Sequence, residues 1–304
     1  MFSPLEEKVI GKLESFFDTK IVKIVMPRQG MGSFVFFAVS EGGKEYVIKT
    51  SLDIKNDVLA YELLKRNDTE ISTPEIFTSF VCDNKTFLVM EKIKALILED
   101  VPDKDKGLYI DSMLENLSRI HKIKSERAGL VDGRFFSGSW KENLLFKYSG
   151  LHPWFDWKNI LERTGVDRAL VEDALVNIVE QIKKVDLPCS DYSLLHTDFN
   201  QRNLFVDPQS CEIVSIVDWS EAAFGDPLYD FARVRMFIQH FDLGEIVLKK
   251  YYSLLKLNKK ERVREDLYFI NQVVDYIAWY SESETNFNIG RLALHQKILR
   301  EYKW

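Results

Sequence analysis

The chemistry in this chain is concentrated in a short island, Leu194-Leu195-His196-Thr197-Asp198-Phe199-Asn200-Gln201-Arg202-Asn203-Leu204-Phe205-Val206, followed by Ile213-Val214-Ser215-Ile216-Val217-Asp218-Trp219. Between the two β-branched runs, Asp207-Pro208-Gln209-Ser210 has the composition of a turn. Antiparallel pairing about that turn sets Asn203 and Asp218 at the open ends of neighbouring strands, where directly opposite α-carbons are about 4.5–5.5 Å apart. An amide oxygen and a carboxylate so placed suit one hard divalent cation, Mg²⁺ above all, which completes its octahedron with water and phosphate oxygens. Asp198, on the loop leading into the hairpin, is placed to accept or orient the proton of an attacking hydroxyl. His196 is expected to brace that loop by hydrogen bonds rather than act as a base. The H-x-D-x-x-x-x-N string alone is also compatible with an ordinary polar loop. The apolar hairpin and the strand-borne aspartate behind it are what favour a catalytic reading.

A phosphoryl-transfer site of this kind also needs groups that hold the phosphates, and the first third of the chain offers some. Arg28-Gln29-Gly30-Met31-Gly32-Ser33 joins two predicted strands. Without side chains, Gly30 and Gly32 let backbone amides approach a phosphate, and the Ser33 hydroxyl adds a donor. The same string also reads as a plain hairpin turn. Lys49 ends the run Tyr46-Val47-Ile48-Lys49 and is a cation for the α/β-phosphates, with Glu62 on the next helix as the carboxylate expected to hold it. The alternatives are a solvent-facing strand lysine and a solvated helix face.

These residues must be positioned by two regions of different texture. Residues 1–93 begin with an amphipathic helix carrying Phe2, Leu5, Val9, Leu13 and Phe16 at helical spacing. Predicted strands follow at Ile21–Met26, Phe34–Ser40, Tyr46–Thr50, Ile76–Cys82 and Thr86–Met90, with one helix over Asn56–Arg66. Glu41-Gly42-Gly43-Lys44 supplies a tight hairpin with glycine for positive φ. Residues 94–304 read mostly helical, with predicted helices at Lys106–Lys122, Trp157–Arg163, Arg168–Val185, Asp242–Leu257 and Glu261–Tyr280, and from about Asn288 to the end. The expected architecture is α+β: a small antiparallel-sheet lobe with one helix for the nucleotide, and a larger helical lobe carrying the catalytic hairpin and the acceptor.

Composition narrows the partners. The 304 residues are 46% hydrophobic and 29% charged, which excludes collagen-like, low-complexity and largely disordered chains. The net charge of −6 is spread along the chain with no basic block, which argues against nucleic acid and anionic membranes. No stretch approaches the roughly 20 apolar residues of a membrane span. Cys82, Cys189 and Cys211 match neither zinc nor redox spacing and suit reduced thiols in a cytoplasmic protein. His121 is expected to be structural, and His152, His240 and His295 show no ligand spacing.

The order of glycine loop, strand lysine, helix glutamate, His196–Asn203 and Asp218 resembles the protein-kinase-like superfamily. Within it, Asp218-Trp219-Ser220-Glu221-Ala222-Ala223-Phe224-Gly225-Asp226-Pro227-Leu228-Tyr229-Asp230-Phe231-Ala232 resembles the aminoglycoside phosphotransferase family. The resemblance implies a kinase using ATP, or GTP, with Mg²⁺ on a hydroxyl of a small cationic antibiotic, an aminocyclitol or aminoglycoside. It implies Asp198 as the catalytic aspartate, Asn203 and Asp218 as magnesium ligands and Lys49 at the phosphates. The passage Val89-Met90-Glu91-Lys92-Ile93 would offer backbone groups of Glu91 and Ile93 to adenine, and Asp226 and Asp230 would brace the catalytic loop. For the acceptor's ammonium groups, Glu221, Asp275, Glu282 and Glu284 are the candidate carboxylates, with a core or solvated residue as the alternative reading of each. Trp219-Ser220 stands where protein kinases carry Phe-Gly, and no Ala-Pro-Glu element follows, which argues against a protein substrate. Other acceptors (a macrolide, a tuberactinomycin, choline, homoserine or a sugar) and a non-catalytic nucleotide-binding regulator are the competing readings. Oligomeric state has no signature in the sequence.

Overall fold

The computed structural model describes residues 4–26, 33–51, 53–67, 70–134, 139–152, 155–282 and 285–304. Gly30, Gly32 and Glu284 lie outside the described residues. The chain opens with α1 (Pro4–Phe17), then β1 (Ile21–Val25), β2 (Ser33–Ser40), β3 (Glu45–Ser51), α2 (Ile54–Arg66), β4 (Ile76–Cys82) and β5 (Lys85–Glu91). The five strands form one antiparallel sheet in the order β1-β2-β3-β5-β4. The β2–β3 turn uses Gly43 at φ 79°, where the left-handed backbone favours glycine.

Alternation along the strands sorts this sheet's two faces. Phe87 and Val89 of β5 join Tyr46 and Ile48 of β3 in a cluster closed by Val9 and Leu13 of α1. Leu88 and Met90 point the other way, into the main core with Ala60, Tyr61 and Leu64 of α2. Val47 packs on that second face, so Lys49, two residues on, is directed toward α2 and not toward α1.

The rest of the chain is mainly helical. After a two-residue strand β6 (Leu96–Ile97) and two 3₁₀ segments come α3 (Ile110–Ile120), β7 (Lys124–Ser125), β8 (Gly129–Leu130), α4 (Trp140–Phe146), α5 (Trp157–Ile160) and α6 (Arg168–Lys184). Then follow β9 (Tyr192–Leu195), β10 (Leu204–Asp207), β11 (Glu212–Ile216), β12 (Ala223–Gly225), α7 (Leu228–His240), α8 (Gly244–Leu255), α9 (Lys259–Tyr280) and α10 (Asn286–Glu301). The helix predicted from Lys106 is a 3₁₀ segment up to Tyr109 and α-helical only from Ile110. The one predicted from Trp157 is a single turn, started by Asp156, whose side chain accepts from the Asn159 amide.

Two pairings frame the chemistry. β10 and β11 form the hairpin, with Leu204 opposite Ile216. Beyond it, β12 returns beside β9, with Ala223 opposite Leu195. The loop 196–203 runs from β9 to β10 and the loop 217–222 from β11 to β12, so each is anchored at both ends on strands paired with the other's. The two loops are thereby forced side by side. Gly225 is needed at the close: a Cβ there would come within 2.6 Å of the Trp140 ring.

Candidate active site

The expected juxtaposition of Asn203 and Asp218 is present: the Val217 amide donates to the Asn203 carbonyl at 3.0 Å, extending the hairpin toward Asp218. Asn203 is buried and commits its amide nitrogen to Asp198, donating to the carbonyl at 2.9 Å and to Oδ2 at 3.0 Å. That orientation leaves the Asn203 side-chain oxygen as the atom that could hold a cation. On the other loop, Oδ1 of Asp218 accepts from Lys49 at 2.7 Å and from the Ser220 hydroxyl at 2.6 Å, which leaves Oδ2 for a cation. Burial would raise the Asp218 carboxyl, but Lys49 and Ser220 outweigh it and hold it down to about 2.

Lys49 corrects one expectation. Its partner on α2 is Asp57, not Glu62. Asp57 is fully buried at the helix start and also accepts the Trp219 amide at 2.7 Å, so a single carboxylate ties the sheet lysine to the Asp218 loop. Glu62, five residues later, turns outward and pairs with Arg66 at 3.0 Å on an exposed surface. The neighbouring Asn56 side chain donates to the carbonyls of Ser220 (3.0 Å) and Ala222 (2.9 Å), locking α2 onto the same loop. Burial opposes the Lys49 charge, yet Asp57 and Asp218 together push its pKa above the usual lysine range.

His196 braces the loop 196–203 as expected: it is buried, and its Nε2 meets the Val217 carbonyl at 3.0 Å. Asp230 accepts the His196 and Thr197 amides, both at 2.9 Å, and contacts Nε2 of His121 at 3.0 Å. Asp226 does something different from the expected bracing. It caps α7 through the Leu228 amide and ties that helix to α9 through the Tyr268 hydroxyl (2.9 Å) and Arg264 (2.9 Å).

The nucleotide-side candidates are spread along the sheet. Ser33 opens β2 opposite Ser51, and Glu91 ends β5 opposite Tyr46. The Glu91 amide donates to the Glu75 carbonyl at 2.8 Å and so is already committed within the protein.

Of the acceptor-side candidates, Glu221 belongs to the cluster. Its carbonyl accepts from the Thr197 hydroxyl at 2.9 Å, and its side chain is half-buried. Burial, then the charge of Asp198, push it up to about 8, with Asp218 and Asp275 adding to the rise and Arg233 opposing it. Asp275 is buried on α9 and paired with Lys147, whose ammonium also donates to Asn271 at 2.7 Å. Glu282, on the turn after α9, is exposed and sits 3.9 Å from Arg163. Asp57, Arg233 and Lys147 are the site residues absent from the sequence expectations. Asp57 carried a signal, an acidic residue in the first turn of the helix that follows the strand lysine.

A small antiparallel sheet presenting a lysine to a helix carboxylate, above two paired loops bearing Asp198, Asn203 and Asp218, is the protein-kinase-like fold. The chain belongs to the phosphotransferase enzyme family, whose model matches residues 45–264. Its curated relatives include acyl-CoA dehydrogenase family member 11 of Rattus norvegicus, 23% identical over 235 residues that cover 71% of this chain and 28% of that protein. Hygromycin-B 4-O-kinase of Escherichia coli is 20% identical over 208 residues, 65% of this chain and 58% of the relative. The chain thus spans little more than a quarter of the first relative and under two thirds of the second. Among solved structures, a thermostable mutant of aminoglycoside phosphotransferase APH(4)-Ia, in ternary complex with AMP-PNP and hygromycin B, superposes with a TM-score of 0.71. That match is at 19% identity over 96% of this chain and 97% of the other.

Proposed function

We propose that this protein transfers the γ-phosphoryl group of ATP, with Mg²⁺, to a hydroxyl of a small molecule, residues 1–93 binding the nucleotide and 94–304 carrying the catalytic loop, the magnesium ligands and the acceptor site. The observation that carries the reading is the convergence of Lys49 from β3, Asp198 and Asn203 from the loop 196–203 and Asp218 from the loop 217–222, with Lys49 bonded to Asp218 and Asn203 to Asp198. Asn203 and Asp218 fit a magnesium ion: one amide oxygen and one carboxylate oxygen remain uncommitted, as suits a cation that otherwise keeps water and phosphate oxygens. Among the described residues there is no richer cluster of His, Cys, Asp or Glu that would favour another metal. When bound there, the ion supplies positive charge to the phosphates.

The protein's own groups do the positioning. Lys49, held charged by Asp57, places a fixed cation at the phosphates. Asp198 receives the acceptor hydroxyl and orients its oxygen toward phosphorus; in a loose transition state alignment matters more than full proton abstraction. Glu221, half-buried beside Asp198 and without a cationic hydrogen-bond partner among the described residues, supports an acceptor bearing an ammonium group near the reacting hydroxyl. Hygromycin-like aminocyclitols and aminoglycosides are the acceptors proposed first, with antibiotic resistance as the role.

One observation favours a second acceptor class. Asp275 is already paired with Lys147 and Glu282 lies near Arg163, so fewer free carboxylates are left for a polycation than the sequence suggested. An acceptor with one ammonium group, such as choline or homoserine, fits that charge pattern. ADP release from Mg-ATP and Mg-GTP, measured against hygromycin B, several aminoglycosides, a macrolide, a tuberactinomycin, choline and homoserine, separates the two. Product mass spectrometry and an EDTA control complete the assay. A phosphorylated antibiotic supports the first acceptor class and a phosphorylated monoamine the second. Nucleotide binding with no transfer to any of them contradicts both.

A further inference from the structure

Asp198 is presented from a bend that costs energy. Thr197, immediately before it, has φ 64°. A β-branched residue enters that left-handed region only where its surroundings over-determine it. All the polar groups of Thr197 are engaged. Its amide donates to Oδ1 of Asp230 at 2.9 Å, and its hydroxyl donates to the Glu221 carbonyl at 2.9 Å. Its carbonyl accepts from Nη2 of Arg233 at 2.9 Å and from Nε at 3.3 Å. The same Nη2 reaches Oδ1 of Asp198 at 3.3 Å.

Asp230 and Arg233 are three residues apart on α7 and share one face. The carboxylate takes the amides of the bend; the guanidinium takes its carbonyl and the catalytic carboxylate beyond it. Arg233 is 9% exposed, with its guanidinium carbon 5.2 Å from the centre of the Tyr276 ring, so packing fixes where the fork points. Around Asp198 the other donors are neutral amides, Asn200 on Oδ1 at 2.7 Å and Asn203 on Oδ2 at 3.0 Å.

We propose that Arg233 is a positioning residue for phosphoryl transfer, bridging the Thr197 carbonyl and Oδ1 of Asp198 so that the carboxylate is held where the acceptor hydroxyl arrives. The inference rests on the role proposed above for Asp198. A guanidinium suits the task because its planar fork serves two acceptors in different directions, which a lysine ammonium on a flexible stem does less well. Misplacing a reacting group by about 1 Å can cost on the order of 10²-fold in rate.

The test uses the full chain with Arg233→Met, Arg233→Lys, Asp198→Asn and the Arg233→Met/Asp198→Asn double variant. Phosphoryl transfer from Mg-ATP is measured to hygromycin B as probe acceptor and to water, the acceptor present in every assay. Thermal melting and a crystal structure of Arg233→Met accompany the kinetics. Expected are a folded Arg233→Met with near-normal KM for ATP and a kcat lowered on the order of 10²-fold, partial recovery in Arg233→Lys, and a double variant no slower than Asp198→Asn alone. The inference alone fails if Asp198→Asn is impaired while Arg233→Met keeps wild-type kcat, or if the two losses multiply. It also fails, whatever the turnover, if Thr197 and Asp198 keep their places in the Arg233→Met structure. Wild-type transfer by Asp198→Asn removes the role of Asp198 itself, and the inference with it.

Discussion

Replacing Asp57 by asparagine removes the charge that holds Lys49 while preserving side-chain volume and an oxygen for the Trp219 amide. Asp57 is fully buried and Lys49 is 5% exposed, so the surviving ammonium is left in a poorly solvated place. Neutralising one member of a buried ion pair costs about 3–5 kcal/mol. Asp218 remains 2.7 Å from Lys49, so the low end, about 3 kcal/mol, is expected. For a chain of this size that is a fall of roughly 6 °C in Tm, at about 2 °C per kcal/mol. With Asp57 neutral, Lys49 is drawn wholly onto Asp218, and nucleotide affinity drops by about tenfold, near 1.4 kcal/mol. Glu62→Gln is the matched control, because its pair with Arg66 is exposed and of the i,i+4 kind, worth below about 0.5 kcal/mol. Calorimetric melting and titration with a fluorescent ATP analogue read both quantities. Glu62→Gln matching Asp57→Asn in either, or Asp57→Asn melting within 1 °C of wild type (about 0.5 kcal/mol), would refute the assignment of the lysine's partner.

Two pH effects follow from burial. Glu221, pushed up to about 8, is mostly protonated at neutral pH, and an ammonium group requires its ionised form. Affinity for a cationic acceptor therefore strengthens about tenfold between pH 7 and pH 9, and Glu221→Gln binds weakly with no such slope; an unchanged slope in that variant would place the cation elsewhere. His240 and His295, with rings 5.5 Å apart, are held down to about 2 and about 4, burial being the main cause in both. The unfolded chain takes up protons near pH 6.5 that these folded histidines refuse. Their stability contribution is complete above that pH and is lost as pH falls, by up to about 1.4 kcal/mol per pH unit for each. Melting temperature should decline from pH 7 to pH 5, less so in His295→Gln, and a flat profile would contradict the burial argument.

Much of the fold was legible because its strands alternate. The five sheet strands are marked by β-branched and aromatic runs bounded by Gly, Pro and Asn, and the 194–219 island by two such runs about a turn. Helix α7 escaped the reading: buried residues occupy most of its circumference, from Leu228 and Asp230 to Ile238 and His240, so no apolar stripe betrays its period. The short strands β7, β8 and β12 are two or three residues long, below what a pattern can signal. In the site, Asp198, Asn203 and Asp218 could be read from spacing along one hairpin. Glu62 was the wrong partner for Lys49 because choosing between α2 carboxylates requires the rotation of that helix about its axis, which sequence spacing alone does not set. Arg233 and Lys147 were invisible for a similar reason, since each meets its carboxylate across more than thirty positions of chain.

In the proposed reaction Asp198 serves the acceptor while Lys49, Asn203 and Asp218 serve the nucleotide. The most direct measurement is the transfer of labelled γ-phosphate by Asp198→Ala beside wild type, with Mg-ATP affinity determined on the same samples. Transfer is expected to fall to background while ATP affinity stays within about twofold of wild type, a difference under about 0.5 kcal/mol. Full transfer by Asp198→Ala, or a loss of transfer that merely follows a loss of ATP binding, would contradict that division of roles.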